Sequence, residues 1–133
     1  MRELTVGIAG LGAIGLHLAR ALDAGVQGLR LTAVAARDHA KAGRNLAGFR
    51  APPKLMSLGD LATQAEVVVE AAPAAVFEEV ATAALARGRT FVPSSVGALL
   101  PRMHLVDRAR ETGARIIVPT GALLGLDAVR AAA

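Results

Sequence analysis

Six residues near the amino terminus have types and spacing suited to ligand chemistry. Gly10-Leu11-Gly12-Ala13-Ile14-Gly15 reads G-x-G-x-x-G, with the apolar run Val6-Gly7-Ile8-Ala9 before it and an amphipathic stretch after it. The string alone is weak evidence, but a strand before it and a helix after it give each glycine a physical task. Gly10 permits a tight turn, Gly12 lets backbone approach a pyrophosphate, and Gly15 lets helix and strand pack closely. The helix start leaves N–H groups free, those of Ala13 and Ile14 among them, and such groups bind anions.

One strand later, Ala36-Arg37-Asp38 stands where a dinucleotide site reads its ribose. A site for NAD usually places a carboxylate at this strand tip. Here a guanidinium is offered instead, and it suits a 2′-phosphate and the face of an adenine. Asp38 reads as the N-cap of the following helix. The pattern therefore favours NADP over NAD. At the end of the fourth strand, Ala71-Ala72-Pro73 puts small residues on the adenosine side. They fit either a cofactor wall or tight packing with Pro opening a helix.

Groups for proton transfer are scarce. His17, His39 and His104 read as surface histidines, and Glu70 lies inside a strand as a buried, hydrogen-bonded carboxylate. Ser94 and Ser95 have no His and Asp at a recognisable spacing. No histidine or carboxylate cluster points to a metal, so neither a catalytic residue nor a metal ligand is assigned.

The elements that must position these residues alternate in kind. Leu4–Ala9, Leu29–Ala36, Glu66–Ala71, Thr90–Pro93 and Arg115–Val118 read as strands, with a weaker one at Lys54–Met56. Ala13–Ala24, Asp38–Leu46, Ser57–Gln64, Pro73–Arg87 and Leu99–Thr112 read as helices. The inward stripes are expected at Ile14, Leu18 and Leu22; at Phe77, Val80 and Ala84; and at Leu99, Met103, Val106 and Ala109. Nearly continuous apolar strands imply a parallel sheet covered on both faces. Right-handed crossovers then give an α/β, Rossmann-type, doubly wound sheet of about six strands.

Composition agrees. The chain has 133 residues, 53% hydrophobic and 20% charged, too apolar for a disordered segment. Aromatics are 2%, too few for a base-stacking platform, and the arginines behind the net charge of +4 are scattered, so no nucleic-acid partner is expected. With no cysteine, disulfides and thiolate chemistry are excluded. The uncharged stretch from Leu4 to Ala19 is too short to span a membrane and lacks the flanks of a signal peptide, so a cytoplasmic location is expected.

Three segments carry a more specific likeness. Val6–Gly15, Ser95-Val96-Gly97-Ala98, and Ile117-Val118-Pro119-Thr120-Gly121-Ala122 followed by Gly125-Leu126-Asp127-Ala128 resemble the N-terminal half of the L-aspartate dehydrogenase family, over essentially the whole chain. The resemblance implies a dinucleotide-binding domain over residues 1–124, with 125–133 beginning the connection to a C-terminal catalytic domain. It implies oxidation of L-aspartate to iminoaspartate with NADP or NAD, feeding NAD biosynthesis. It also implies that the Ala98 backbone contacts the nicotinamide end, that Ser95, Val96 and Gly97 shape that turn, and that Thr120, Gly121 and Ala122 lie beside it. The family's catalytic histidine and a second cofactor-binding asparagine belong to the other half. No turnover, and binding of the amino acid only with that half, is therefore expected of this chain. Homodimerisation or self-association is expected through Leu123, Leu124 and Leu126. Two other readings stay open: the cofactor domain of a relative such as a homoserine or sugar-type dehydrogenase, and a stand-alone dinucleotide-sensing module.

Overall fold

The computed structural model describes residues 2–119, so Thr120, Leu123, Leu124, Leu126 and the expected boundary at 124 lie outside the described residues. Six strands, β1 (Leu4–Ala9), β2 (Leu29–Ala35), β3 (Lys54–Met56), β4 (Val67–Glu70), β5 (Thr90–Pro93) and β6 (Arg115–Ile116), pair in parallel in the order β3-β2-β1-β4-β5-β6. The chain winds outward from β1 in one direction, then returns and winds outward from β4 in the other. The strand order therefore reverses between β1 and β4, and a crevice opens there at the carboxyl ends.

Alternation along the strands explains the two covering layers. Val6 and Ile8 of β1 and Leu31 and Val34 of β2 face Ala19 and Leu22 of α1 (Ala13–Ala24) and Leu46 of α2 (His39–Leu46). Ala9, Ala33 and Ala35 face the other way, where Val68 and Phe91 meet Phe77, Val80 and Ala84 of α3 (Phe77–Ala86) and Leu105 and Ala109 of α4 (His104–Thr112). Phe77 and Phe91 meet edge to face at 5.6 Å. Thr32 has no partner across β1, and this bulge lets its hydroxyl donate to the Gln64 carbonyl at 2.7 Å.

Several expectations shift. Ile14 is 65% exposed, and the buried stripe of α1 is Gly15, Ala19 and Leu22, because Gly15 is the residue that touches the strand turn. Ser57–Gln64 forms a turn and a 3-10 segment, Leu61–Thr63, in place of an α-helix. Ser57 Oγ accepts from the Asp60 N–H and Thr63 Oγ1 donates to the Asp60 carbonyl, local bonds that compete with a helix. The helix expected from Leu99 starts at His104, after 3-10 turns at Val96–Ala98 and Leu100–Arg102. Pro101 lacks an N–H and disfavours α geometry before it. Met103 is consequently exposed, while Leu99 and Ala109 are buried as expected and Leu105 joins them. The helix expected at Pro73 begins with a 3-10 turn, Ala74–Val76. The last strand ends at Ile116 short of Val118, although the Ile117 N–H still reaches the Phe91 carbonyl at 2.9 Å.

Glu66 ties the start of β1 to the start of β4. It accepts from the Thr5 N–H and hydroxyl and from Arg2, and the first of these, reinforced by the guanidinium, holds its carboxyl below the usual glutamate range. A carboxylate with a depressed folded pKa stabilises above its unfolded pKa and loses that contribution as pH falls through the folded value. Glu66→Gln is expected to remove this part of the acid limb, so its melting temperature should fall less than wild type's below about pH 4.5. Thermal melts across pH 3 to 6, an interval set by carboxylate titration at roughly pH 4, check this.

Candidate functional site at the carboxyl edge

β1 delivers the chain to Gly10, whose N–H donates to the Ala35 carbonyl at 2.7 Å and whose φ is +98°. A side chain there would be strained and would strike the Ala71 carbonyl of the neighbouring strand end. Gly15 is equally constrained, since a Cβ would land on the Gly10 carbonyl oxygen. Gly12 is different. Its φ is −73° and its ψ −162°, open to any residue, and a Cβ would meet nothing within 4 Å. Neither backbone geometry nor packing within the protein requires glycine at this position. The position lines the cleft and leaves room for close approach.

The helix above it is left ready for an anion. The first bond of α1 runs from the Leu16 N–H to the Gly12 carbonyl at 2.9 Å, so the Ala13, Ile14 and Gly15 N–H groups precede the ladder. Gly12 provides no side-chain cap and the first turn carries no acid. By contrast, α2 has Asp38 as cap, α3 has Glu78 and Glu79 in its first turn, and α4 has Asp107. Only at α1 are these four helices left with both cap and charge unsupplied, where helix dipole and free donors favour negative charge.

Beside this turn lies a cleft of about 530 Å³. Gly10, Leu11, Gly12, Arg37, Asp38, Ala71 and Pro73, all expected from sequence, line it. Ala72 turns its N–H to Glu70 at 3.0 Å. Ser95, Val96, Gly97 and Ala98 follow β5 on the far side of β4 and do not line the cleft; Ala13 and Ile14 stand exposed at its helix end. Lys41 and Asn45 line the cleft without having been expected. Lys41 had a legible signal: a cation in the first turn of a helix opposes the dipole, so something other than helix stability accounts for it. Arg37 and Lys41 are exposed, and neither joins an ion pair among the described residues. The Asp38 Oδ1 accepts from the Lys41 N–H at 3.0 Å, as expected for a cap.

The histidines are exposed: His17 on α1, His39 at the start of α2, and His104 with its Nε2 3.2 Å from Glu78. Two further clefts lie near the C-terminal end of α1. Both include Asp23, whose carboxylate accepts from the Arg50 and Ala51 N–H groups and is held below the usual aspartate range by them. Among the described residues no helix is long and apolar enough to cross a membrane.

Comparison with known proteins agrees with this geometry. Residues 10–119 match the family described as homoserine dehydrogenase, NAD binding domain. An L-aspartate dehydrogenase of Bradyrhizobium diazoefficiens is 52% identical over 98% of this chain and 46% of its own length. L-aspartate dehydrogenase 3 of Bordetella bronchiseptica is 46% identical over 98% of this chain and 48% of its own length. The chain thus spans about half the length of the curated relatives it matches. Among solved structures, biliverdin reductase from Synechocystis sp. PCC 6803, in complex with biliverdin and NADP+, superposes with a TM-score of 0.71 at 22% identity, over 86% of this chain and 37% of that one. A homoserine dehydrogenase from Thiobacillus denitrificans gives 0.72 at 21% identity, over 89% of this chain and 29% of that one, a likeness of fold. With the reversal between β1 and β4, the glycine turn and an open helix start in place, the chain belongs to the NAD-binding domain family and is related over its length to about half of an L-aspartate dehydrogenase.

Proposed function

We propose that this chain is the nicotinamide-dinucleotide-binding part of an L-aspartate dehydrogenase, favouring NADP over NAD. The observation that carries the reading is Gly12: an open, unstrained glycine below an uncapped helix start, at the reversal of strand order. The donors present fit the cofactor. The Ala13 and Ile14 N–H groups would hold the pyrophosphate, with Gly10 and Gly12 giving it room. The cleft by Leu11, Ala71, Ala72 and Pro73 would take the adenosine, and Arg37 and Lys41 would face a 2′-phosphate. The Ser95–Ala98 turn, across β4 from that cleft, would flank the nicotinamide. When bound, the cofactor supplies a hydride acceptor. The protein's own part is to bind, orient and neutralise charge. Oxidation of L-aspartate, with supply of its imine to NAD biosynthesis, belongs on this reading to a polypeptide of the relatives' length, in the cytoplasm and as a homodimer.

A second reading, the cofactor domain of a homoserine-type dehydrogenase, draws support from the family match and the fold. Assay of a polypeptide of the relatives' length with L-aspartate and with L-homoserine separates the two: turnover of homoserine alone would overturn the first.

Titration with NADPH and NADH, followed by nicotinamide fluorescence, tests cofactor choice without interference from Trp or Tyr, which the chain lacks. NADPH should bind more tightly. Arg37→Ala should weaken NADPH about tenfold, the equivalent of one charge-assisted bond, and Lys41→Ala somewhat less, while NADH changes under about twofold. Tighter NADH binding by wild type would remove this role from Arg37.

A further inference from the structure

Glu70 is the single buried charged residue among the described residues, with no exposed surface. It ends β4 and takes part in no ion pair among the described residues. Burying a carboxylate is unfavourable unless its oxygens are satisfied, and a fold that needed only volume here would do better with an apolar side chain. Its partners indicate what it does. Oε1 accepts from the Ser95 N–H at 2.9 Å, and Oε2 accepts from the Ser95 hydroxyl at 2.9 Å and from the Ala72 N–H at 3.0 Å. These donors come from two different turns, one after β4 and one after β5. Ordinary ladder bonding does not join them: the Glu70 carbonyl takes the Ser94 N–H at 2.9 Å, and the ladder stops there.

We infer that Glu70 is a positioning residue, whose acceptor-only carboxylate locks the Ser95–Ala98 turn to the Ala71–Pro73 turn and so sets the nicotinamide half of the dinucleotide site. The inference rests on the dinucleotide reading above and adds to it a group that touches no ligand. The far end of the turn is held as well. The Ala98 N–H donates to the Ser95 carbonyl at 3.0 Å, and Arg102 Nη1 donates to the Ala98 carbonyl at 2.9 Å. Arg102 is itself fixed by Glu78 at 3.2 Å and lies over the Phe77 ring. A backbone segment pinned at both ends presents its groups in one arrangement, which lowers the ordering needed on binding. Glutamine cannot replace the carboxylate. Whichever way its amide is turned, an NH₂ faces either the Ser95 N–H or the Ala72 N–H, and that donor loses its acceptor.

The test compares two probes on the full 133-residue chain: NADPH, and 2′-phospho-ADP-ribose, which lacks the nicotinamide ring. Glu70→Gln should weaken NADPH about tenfold by calorimetry and 2′-phospho-ADP-ribose by less, because the Ala72 bond also serves the adenosine side. Ser95→Ala removes one donor and keeps the backbone bond. It should shift the same ratio about threefold, and it carries the test if Glu70→Gln fails to fold. Loss of neither probe in Glu70→Gln, or parallel loss of both in Ser95→Ala, where the Ala72 bond to Glu70 remains, would overturn the positioning role and leave the dinucleotide site standing. Wild-type protein that binds neither probe would instead overturn the dinucleotide reading on which the inference rests.

Discussion

Gly12→Asp should lose dinucleotide binding by about a hundredfold or more while melting at or slightly above the wild-type temperature. The two effects have opposite signs because they share one cause. Aspartate is a favoured N-cap, and its carboxylate would accept from the amides at the start of α1 that now have no cap. Relative to glycine the gain is a few tenths of a kcal/mol, with a further ~0.3–1 kcal/mol from negative charge at the positive helix end. The backbone at Gly12 already has angles that aspartate adopts, and its Cβ meets no neighbour within 4 Å. The same carboxylate occupies the space and the donors that a pyrophosphate would use, and repels it. A thermal melt beside an NADPH titration checks both halves. A variant that melts lower would show that Gly12 serves the fold, and one that binds normally would show that the helix start is not the anion site.

Gly15→Ala is expected to do the reverse and damage the fold itself. In most helix interiors this substitution stabilises by roughly 0.5–1 kcal/mol. Here the added methyl lands on the backbone oxygen of Gly10, a group with no flexible end to move aside, and lies 3.4 Å from Ile8 Cγ2. Overpacking of this kind costs about 3 kcal/mol, which for a domain of this size lowers the melting temperature on the order of 10 °C. Gly43, inside α2, is the control. Nothing lies within 4 Å of its Cβ position, and alanine there should raise stability by about 0.5–1 kcal/mol. If Gly15→Ala and Gly43→Ala moved the melting temperature alike, the close contact between α1 and the strand turn would be refuted.

These paired cases show what sequence does and does not carry. The G-x-G-x-x-G string, the strand before it and the tip at Arg37 were legible because their signals are local: periodicity, a glycine turn and a cap. The parallel sheet followed from runs such as Val67-Val68-Val69 with helices between them. What failed to show was decided by tertiary contact, by proline or by side chains bonding to nearby backbone. Ile14 sits at a helical spacing from Leu18 and Leu22, yet the face of α1 is set by the contact of Gly15 with Gly10, which leaves Ile14 outside. Pro101 delays α4 to His104, and the segment before β4 is too occupied with local Ser57 and Thr63 bonds to form a full helix. Within the site, Gly12 and Gly15 look identical in sequence. Only the space around each separates the glycine that the fold needs from the one that it leaves free. Lys41 did carry a signal, a cation in the first turn of α2 against the helix dipole, but only the structure puts it on the cleft that Arg37 also lines. Glu70 read correctly as a buried, bonded carboxylate, but the identity of its donors required the ends of two strands to be brought together.

The most direct test of the central claim is an amide chemical-shift map of the isotopically labelled chain during titration with NADPH. Saturable shifts are expected to form one continuous path along the carboxyl edge, at Gly10–Gly15, Arg37–Lys41, Ala71–Ala72 and Ser95–Ala98. Shifts confined to the clefts around Asp23 at the other end of α1, or no saturable shift at all, would contradict that claim.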